Sequence, residues 1–425
     1  MRNLLPLLAL LAFLGYLASP RGAGQGEATP ALELVGWALL PADTFAPGPP
    51  SGAYRETPGF RSPSPAFAGQ PVQGFSAIQR GPVAGTYWVL SDNGFGSKAN
   101  SPDYLLRLYL VRPEPKTAQG GEGGVEVLRH VQLRDPLRKV PFPILNEGTR
   151  ERLLTGYDFD PESFVIGPDG SLWVGDEFGP YLLRFGPDGV LLDPPYPTPD
   201  FGQGKDPAKD QVRAPQNPAL LLNPPAPGQA YPANLATSRG FEGMAINPGK
   251  TRIYPMLEGA VAGDPPGTLR IYEFDPAARR YLGLAGLYRL EDPAHAIGDI
   301  VAVNEEEYLV IERDSRQGDE ARFKRVYLVN LKRKDAQGFV SKELLVDLLN
   351  LRDPRGLSPF SRGGAYRFPY FTIEAVLPLD GETLLLVNDN NYPATGGRGA
   401  GVKDPNEFIW IRLAKPLRLD PLLRP

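Results

Sequence analysis

The 425-residue sequence predicts an all-β fold: a β-propeller of five or six four-stranded blades, closed by an N-terminal strand that joins the last blade. Three observations carry that expectation. One hairpin design recurs along the chain, no amphipathic helix separates its copies, and Gly and Pro, at 48 each, supply the turns that many short strands need.

The clearest copy opens at Pro161-Glu162-Ser163-Phe164-Val165-Ile166, bends at Gly167-Pro168-Asp169-Gly170 and ends at Leu172-Trp173-Val174-Gly175-Asp176-Glu177. Gly, Pro and Asp at the bend favour a tight turn between antiparallel strands, so the first strand starts beside the end of the second. The design recurs at Phe241-Glu242-Gly243 closing at Leu257-Glu258, at Gly298-Asp299-Ile300 closing at Ile311-Glu312-Arg313-Asp314, and at Ile373-Glu374-Ala375 closing at Asn388-Asp389-Asn390. Gly74-Phe75-Ser76 closing at Ser91-Asp92-Asn93 repeats it without the opening acid. This geometry predicts Glu162 beside Asp176 and Glu177, Glu242 beside Glu258, Asp299 beside Glu312 and Asp314, and Glu374 beside Asp389.

Third strands follow at residues 104–111, 181–185, 268–274, 324–329 and 407–413, and fourth strands at 125–133, 281–290 and 339–348. The last copy has no fourth strand, whereas residues 32–40 form an isolated apolar strand near the N-terminus. Joining the two closes a ring and aims every acidic edge at one mouth of a central channel. Residues 30–425 are expected to form one domain, because radially repeated sheets pack only on their neighbours. The long Pro-rich stretch, residues 193–238, runs into Ser238-Arg239 and so must end at that mouth.

Residues 1–23 combine one early basic residue, an apolar run and small residues, the pattern of a secretory signal peptide, which predicts a secreted or periplasmic protein with no stable membrane span after cleavage. The chain has no Cys, so packing and closure rather than disulfides must stabilise it. A formal charge of −4 argues against nucleic acid as a partner, and the mature chain is expected to be a monomer.

These residues resemble the phytase-like β-propeller family, whose members are described as having esterase-like activity. The resemblance runs in order over about residues 70–392, through Ser91-Asp-Asn-Gly94, Pro161-Glu-Ser-Phe164, Trp173-Val-Gly-Asp-Glu177, Ser238-Arg-Gly-Phe-Glu-Gly-Met-Ala-Ile246, Gly298-Asp299, Leu309-Val-Ile-Glu-Arg-Asp314, Lys324-Arg-Val-Tyr-Leu-Val329 and Leu385-Leu-Val-Asn-Asp-Asn390. It implies a propeller, and through distant similarity to calcium-dependent phytases it implies metal ions and phosphate at one channel mouth.

Carboxylates gathered in one concavity repel one another, and a hard divalent cation with oxygen ligands relieves that cost. Calcium is the expected cofactor, with Glu162, Glu242, Asp299, Glu374, Asp389 and Asn390 as ligands. Zinc has little support, since His130 and His295 are the chain's two histidines. The expected substrate is a small-molecule ester or phosphoester. Glu177 or Glu258 is the candidate general base, and Arg239, Arg313 and Lys324 are the candidate cations for an anionic substrate. Two other functions suit the same pattern: a lactonase-type propeller hydrolase, or a non-enzymatic propeller that binds a ligand or partner. No Ser lies in a Gly-x-Ser-x-Gly context, so serine esterase chemistry has no support.

Overall fold

In a computed structural model, which describes residues 32–222, 226, 229 and 232–424, the apolar run that opens each repeat becomes a strand packed on both faces. Pro161–Ile166 and Thr372–Pro378 are buried almost throughout, while last strands such as Gly124–Gln132 and Val340–Asp347 are largely half-buried or exposed. The chain is nearly all β: its one α-helix among the described residues is Pro218–Leu222. The expected signal peptide lies outside the described residues.

Each unit is a four-stranded antiparallel meander. The second runs Pro161–Ile166, Leu172–Asp176, Tyr181–Phe185 and Tyr196–Pro197, the third Gly243–Ile246, Ile253–Met256, Thr268–Asp275 and Arg280–Arg289, and the fourth Ala296–Ala302, Glu307–Arg313, Lys324–Lys334 and Val340–Asp347. The first unit, Phe75–Arg80, Tyr87–Ser91, Arg107–Glu114 and Gly124–Gln132, shares a continuous sheet with the last, Thr372–Pro378, Thr383–Asp389 and Asn406–Arg412. The early strand Glu33–Leu40 pairs antiparallel with Asn406–Arg412, as the sequence predicts, and touches the first unit at Leu39 opposite Gly124. A buried carboxylate fixes this junction. Glu407 accepts hydrogen bonds from Trp37 Nε1 at 3.1 Å, Tyr366 Oη at 2.7 Å and Tyr370 Oη at 2.6 Å, and pairs with Arg398 Nε at 2.6 Å.

Apolar side chains fill the space between successive units: Leu90 and Val174 between the first and second, Trp173 and Met244 between the second and third, Ile271 and Tyr308 between the third and fourth. Leu309 and Val376 join the fourth to the last, and Val89, Leu385 and Phe408 join the last to the first. The inner strands approach closely where they begin. A Cβ on Gly298 would stand 2.0 Å from the carbonyl oxygen of Ile373, so only glycine fits there. Gly298→Ala is therefore expected to cost about 2 kcal/mol or more, the usual penalty of overpacking, read as a lower midpoint in urea denaturation.

The Pro-rich stretch is partly structured. Tyr196–Pro197 supplies the fourth strand of the second unit, which sequence periodicity does not reveal because Pro interrupts it. Asp200, within the same stretch, forms a buried ion pair with Arg270 at 2.7 Å.

Candidate active site

The inner strands have two chemically different ends. Their C-terminal ends surround a largely apolar cavity of about 200 Å³ lined by Val165, Met244, Ala302 and Leu377, with Arg80 and Lys250 also on its wall. Their N-terminal ends carry the acids, and β-bulges aim them. In the second unit Ser163 faces Gly175 and Pro161 faces Asp176, leaving Glu162 as the extra residue. In the last unit Glu374 is the extra residue between Ile373 and Ala375. A residue left out of a ladder in this way is redirected, here toward the centre.

The carboxylate oxygens of Asp160, Glu162 and Glu177 lie within 4.8 Å of one another, as do those of Glu177, Glu242 and Glu258. Glu177 thus belongs to both groups. Its Oε1 is buried and has no hydrogen-bond partner among the described residues. Burial, reinforced by neighbouring acids, pushes Glu162, Glu177 and Glu242 well above the ordinary carboxylate range. Burial raises Glu374 to about 7 against the pull of Arg313, and raises Asp160 to about 8. Asp389 is pushed well up by burial, with Glu374 adding to the shift.

Two arginines offset part of this charge. Arg313 Nη2 lies 3.0 Å from Glu258, 3.4 Å from Glu242 and 3.5 Å from Glu374, and so ties three units together. Arg239 pairs with the other oxygen of Glu258 and remains more than a third exposed. With both oxygens of Glu258 held by guanidinium groups, that residue is a poor base. Glu177, Glu162 and Asp160 have no such partner among the described residues.

Other expected site residues lie elsewhere. In the fourth unit the extra residue of the bulge is Gly298, so Asp299 stands one position later and its side chain turns the other way. Its oxygens accept the N–H groups of Ile300 at 2.8 Å and Val376 at 3.1 Å, tying two units by their backbones. Neither Glu312 nor Asp314 meets it. Glu312 points away from Arg313 and accepts from Tyr288 Oη and the Glu291 N–H, both at 2.7 Å, while Asp314 pairs with Lys324 at 3.0 Å. Lys324 also donates to the carbonyl oxygens of Asp314 and Phe371, and is fully buried behind the site. Asn390 accepts the Gly74 N–H and donates to the Asp404 carbonyl, so its amide serves as a strut. His295 is bonded to Glu312, away from the acids at the centre.

Sequence reasoning passed over Asp160 and Lys98. Asp160 accepts from the backbone N–H and the Nδ2 of Asn93, which bridges the first and second units. Its signal is the acidic run Asp158-Phe159-Asp160-Pro161-Glu162, which spills out of the strand. Lys98 comes from the loop after Asn93 and faces Asp158, Asp160 and Asp176; burial lowers it to about 8.

A family model described as phytase-like, esterase-like activity of phytase, matches residues 70–392. An uncharacterized secreted protein of Arthroderma benhamiae is 30% identical over 105 residues, 25% of this chain and 20% of the relative, so the match spans about a fifth of the relative's length. Among solved structures, the PQQ-bound aldose sugar dehydrogenase of Streptomyces coelicolor aligns at 12% identity with a TM-score of 0.35, over 91% of this chain and 100% of that one. An exo-β-1,3-galactanase of Phanerochaete chrysosporium aligns at 11% identity with a TM-score of 0.36, over 89% of this chain and 64% of that one.

Proposed function

The chain belongs to this phytase-like family, and from that premise we propose that it is an exported hydrolase that cleaves a phosphoester, or another ester, at the acidic end of a propeller. The propeller of this reading has five blades within residues 30–425, and Glu33–Leu40 closes it. Support comes from the strand pairing of Glu33–Leu40 and from the apolar layers on both sides of every unit. No helix among the described residues is long and apolar enough to cross a membrane.

The observation that carries the reaction is Glu177, which belongs to both acidic triads and has a buried carboxylate oxygen with no partner among the described residues. Hard oxygen donors in this number suit Ca²⁺, and Asp160, Glu162, Glu177 and Glu242 would hold it. Bound there, Ca²⁺ would supply Lewis acidity toward an ester oxygen and toward water. Arg313 holds the opposite wall of acids in place, and Arg239, at the exposed edge, orients an anionic substrate. Glu374 is the proton acceptor of this reading. It faces Arg313 at 3.5 Å and titrates at about 7, where a base works best near neutral pH.

Hydrolysis of aryl phosphates and carboxyl esters by the mature protein, assayed with and without a chelator, tests this function. Loss of turnover on chelation and recovery with Ca²⁺ are expected; full activity after exhaustive chelation rejects it. Glu374→Gln is expected to lower kcat by about a hundredfold or more while Ca²⁺ binding persists, as loss of a general base does. Equal kcat in variant and parent removes Glu374 from that role.

A further inference from the structure

Beside the acids lies a cleft of about 430 Å³ whose walls include Phe142, Ile144, Leu145, Tyr157 and Leu222, with Lys98 and Asp158 also lining it. Leu145, Tyr157 and Leu222 are 45%, 37% and 50% exposed, an unusual concentration of apolar side chains on an acidic protein. The cleft is joined to the acidic site through the backbone that leads into it. Asp158 Oδ1 accepts the Leu145 N–H at 2.8 Å, and the same strand entry carries Asp160 and Glu162 two and four residues later. Two residues of chain span at most roughly 7 Å, so cleft and triad are within reach of one small molecule.

Lys98 stands between them. Its Nζ lies 4.3 Å from the centre of the Phe178 ring and 5.5 Å from that of Tyr157, and donates to the Asp158 carbonyl at 3.3 Å. Among the described residues it forms no ion pair, whereas Arg239, Arg313 and Lys324 are all held by carboxylates. A cation in no ion pair among the described residues, beside an apolar wall, matches an amphipathic anion. It does not match a substrate bearing many phosphates, which needs many free cations.

We propose that the Phe142–Leu222 cleft seats the apolar half of the substrate and that Lys98 binds its single anionic head, so the preferred substrate is a phosphomonoester of an aryl or long-chain alcohol. This rests on the hydrolase reading above. In the reaction, water oxygen bonds to phosphorus, the P–O bond to the alcohol breaks, and the alcohol leaves with a proton. The products are inorganic phosphate and a free apolar alcohol.

Binding of two inert probes, naphthyl phosphonate and methyl phosphonate, to the Ca²⁺-supplemented mature protein by titration calorimetry tests the cleft without turnover. The naphthyl probe is expected to bind at least about tenfold more tightly, the scale on which apolar pockets discriminate. Leu145→Gln and Leu222→Gln, at exposed positions where folding is spared, are expected to erase that preference. Lys98→Gln is expected to weaken both probes about tenfold alike. Equal affinity for the two probes, an unchanged preference in both leucine variants, or no binding of either probe overturns the inference. Naphthyl phosphate turnover separates the two readings: tight, cleft-dependent binding without turnover upholds the cleft and rejects the hydrolase, and turnover with no cleft dependence does the reverse.

Discussion

Replacing Glu177 with Gln is expected to abolish hydrolysis and to weaken Ca²⁺ binding by about a hundredfold or more, while the metal-free protein becomes more stable. The carboxylate belongs to both acidic triads, so neutralising it removes charge from each. Burial raises its pKa well above 4.5. A carboxyl raised in this way contributes its stability in full below about pH 4.5 and loses it as pH rises through the folded value, so at pH 8 it opposes folding, because the unfolded chain ionises it at no such cost. Gln lifts that opposition. Thermal denaturation at pH 8 in a chelator should show a higher midpoint for the variant, and calorimetry should show the lost affinity. A variant that is less stable when metal-free, or that binds Ca²⁺ normally, contradicts the assignment.

Arg313→Met is expected to have the opposite effect, destabilising the protein by about 3–5 kcal/mol at pH 8, because removing one member of a buried ion cluster strands the rest. Glu242, Glu258 and Glu374 all lie within 3.5 Å of this guanidinium and are themselves buried. Acid should relieve the damage. Glu374 titrates at about 7 even with Arg313 present, and burial holds Glu242 above the ordinary carboxylate range, so acid neutralises these two and leaves less charge unpaired. Urea denaturation at pH 5 and pH 8 measures the difference. An equal loss at both values would show that Arg313 acts through packing, not charge.

The sequence revealed the fold more fully than the site, and the reason lies in what a repeat can encode. Tight turns and apolar runs repeat on a scale that can be counted, so the inner hairpins and the pairing of Glu33–Leu40 with Asn406–Arg412 are legible. A bulge is not. Glu162 and Glu374 occupy the extra position of their bulges, but the fourth unit places Gly298 there, and this one-residue offset turns Asp299 from the centre to the backbone of its neighbour. Asn390 and Lys324 carry suitable chemistry but are taken up by backbone groups that no spacing rule reveals. Asp160 precedes its strand and Lys98 sits in a short 3₁₀ turn, so neither belongs to the repeated pattern, though both face Asp176.

Direct titration of the mature, chelator-stripped protein with Ca²⁺ at pH 6 and pH 8 tests the central claim that the acidic end is a cation site. Because Glu374 and Asp160 release protons near pH 7 and 8, the affinity should rise with pH, binding should release protons, and the melting midpoint should rise on loading. Absence of Ca²⁺ binding at pH 8, with a melting midpoint indifferent to the ion, would contradict it.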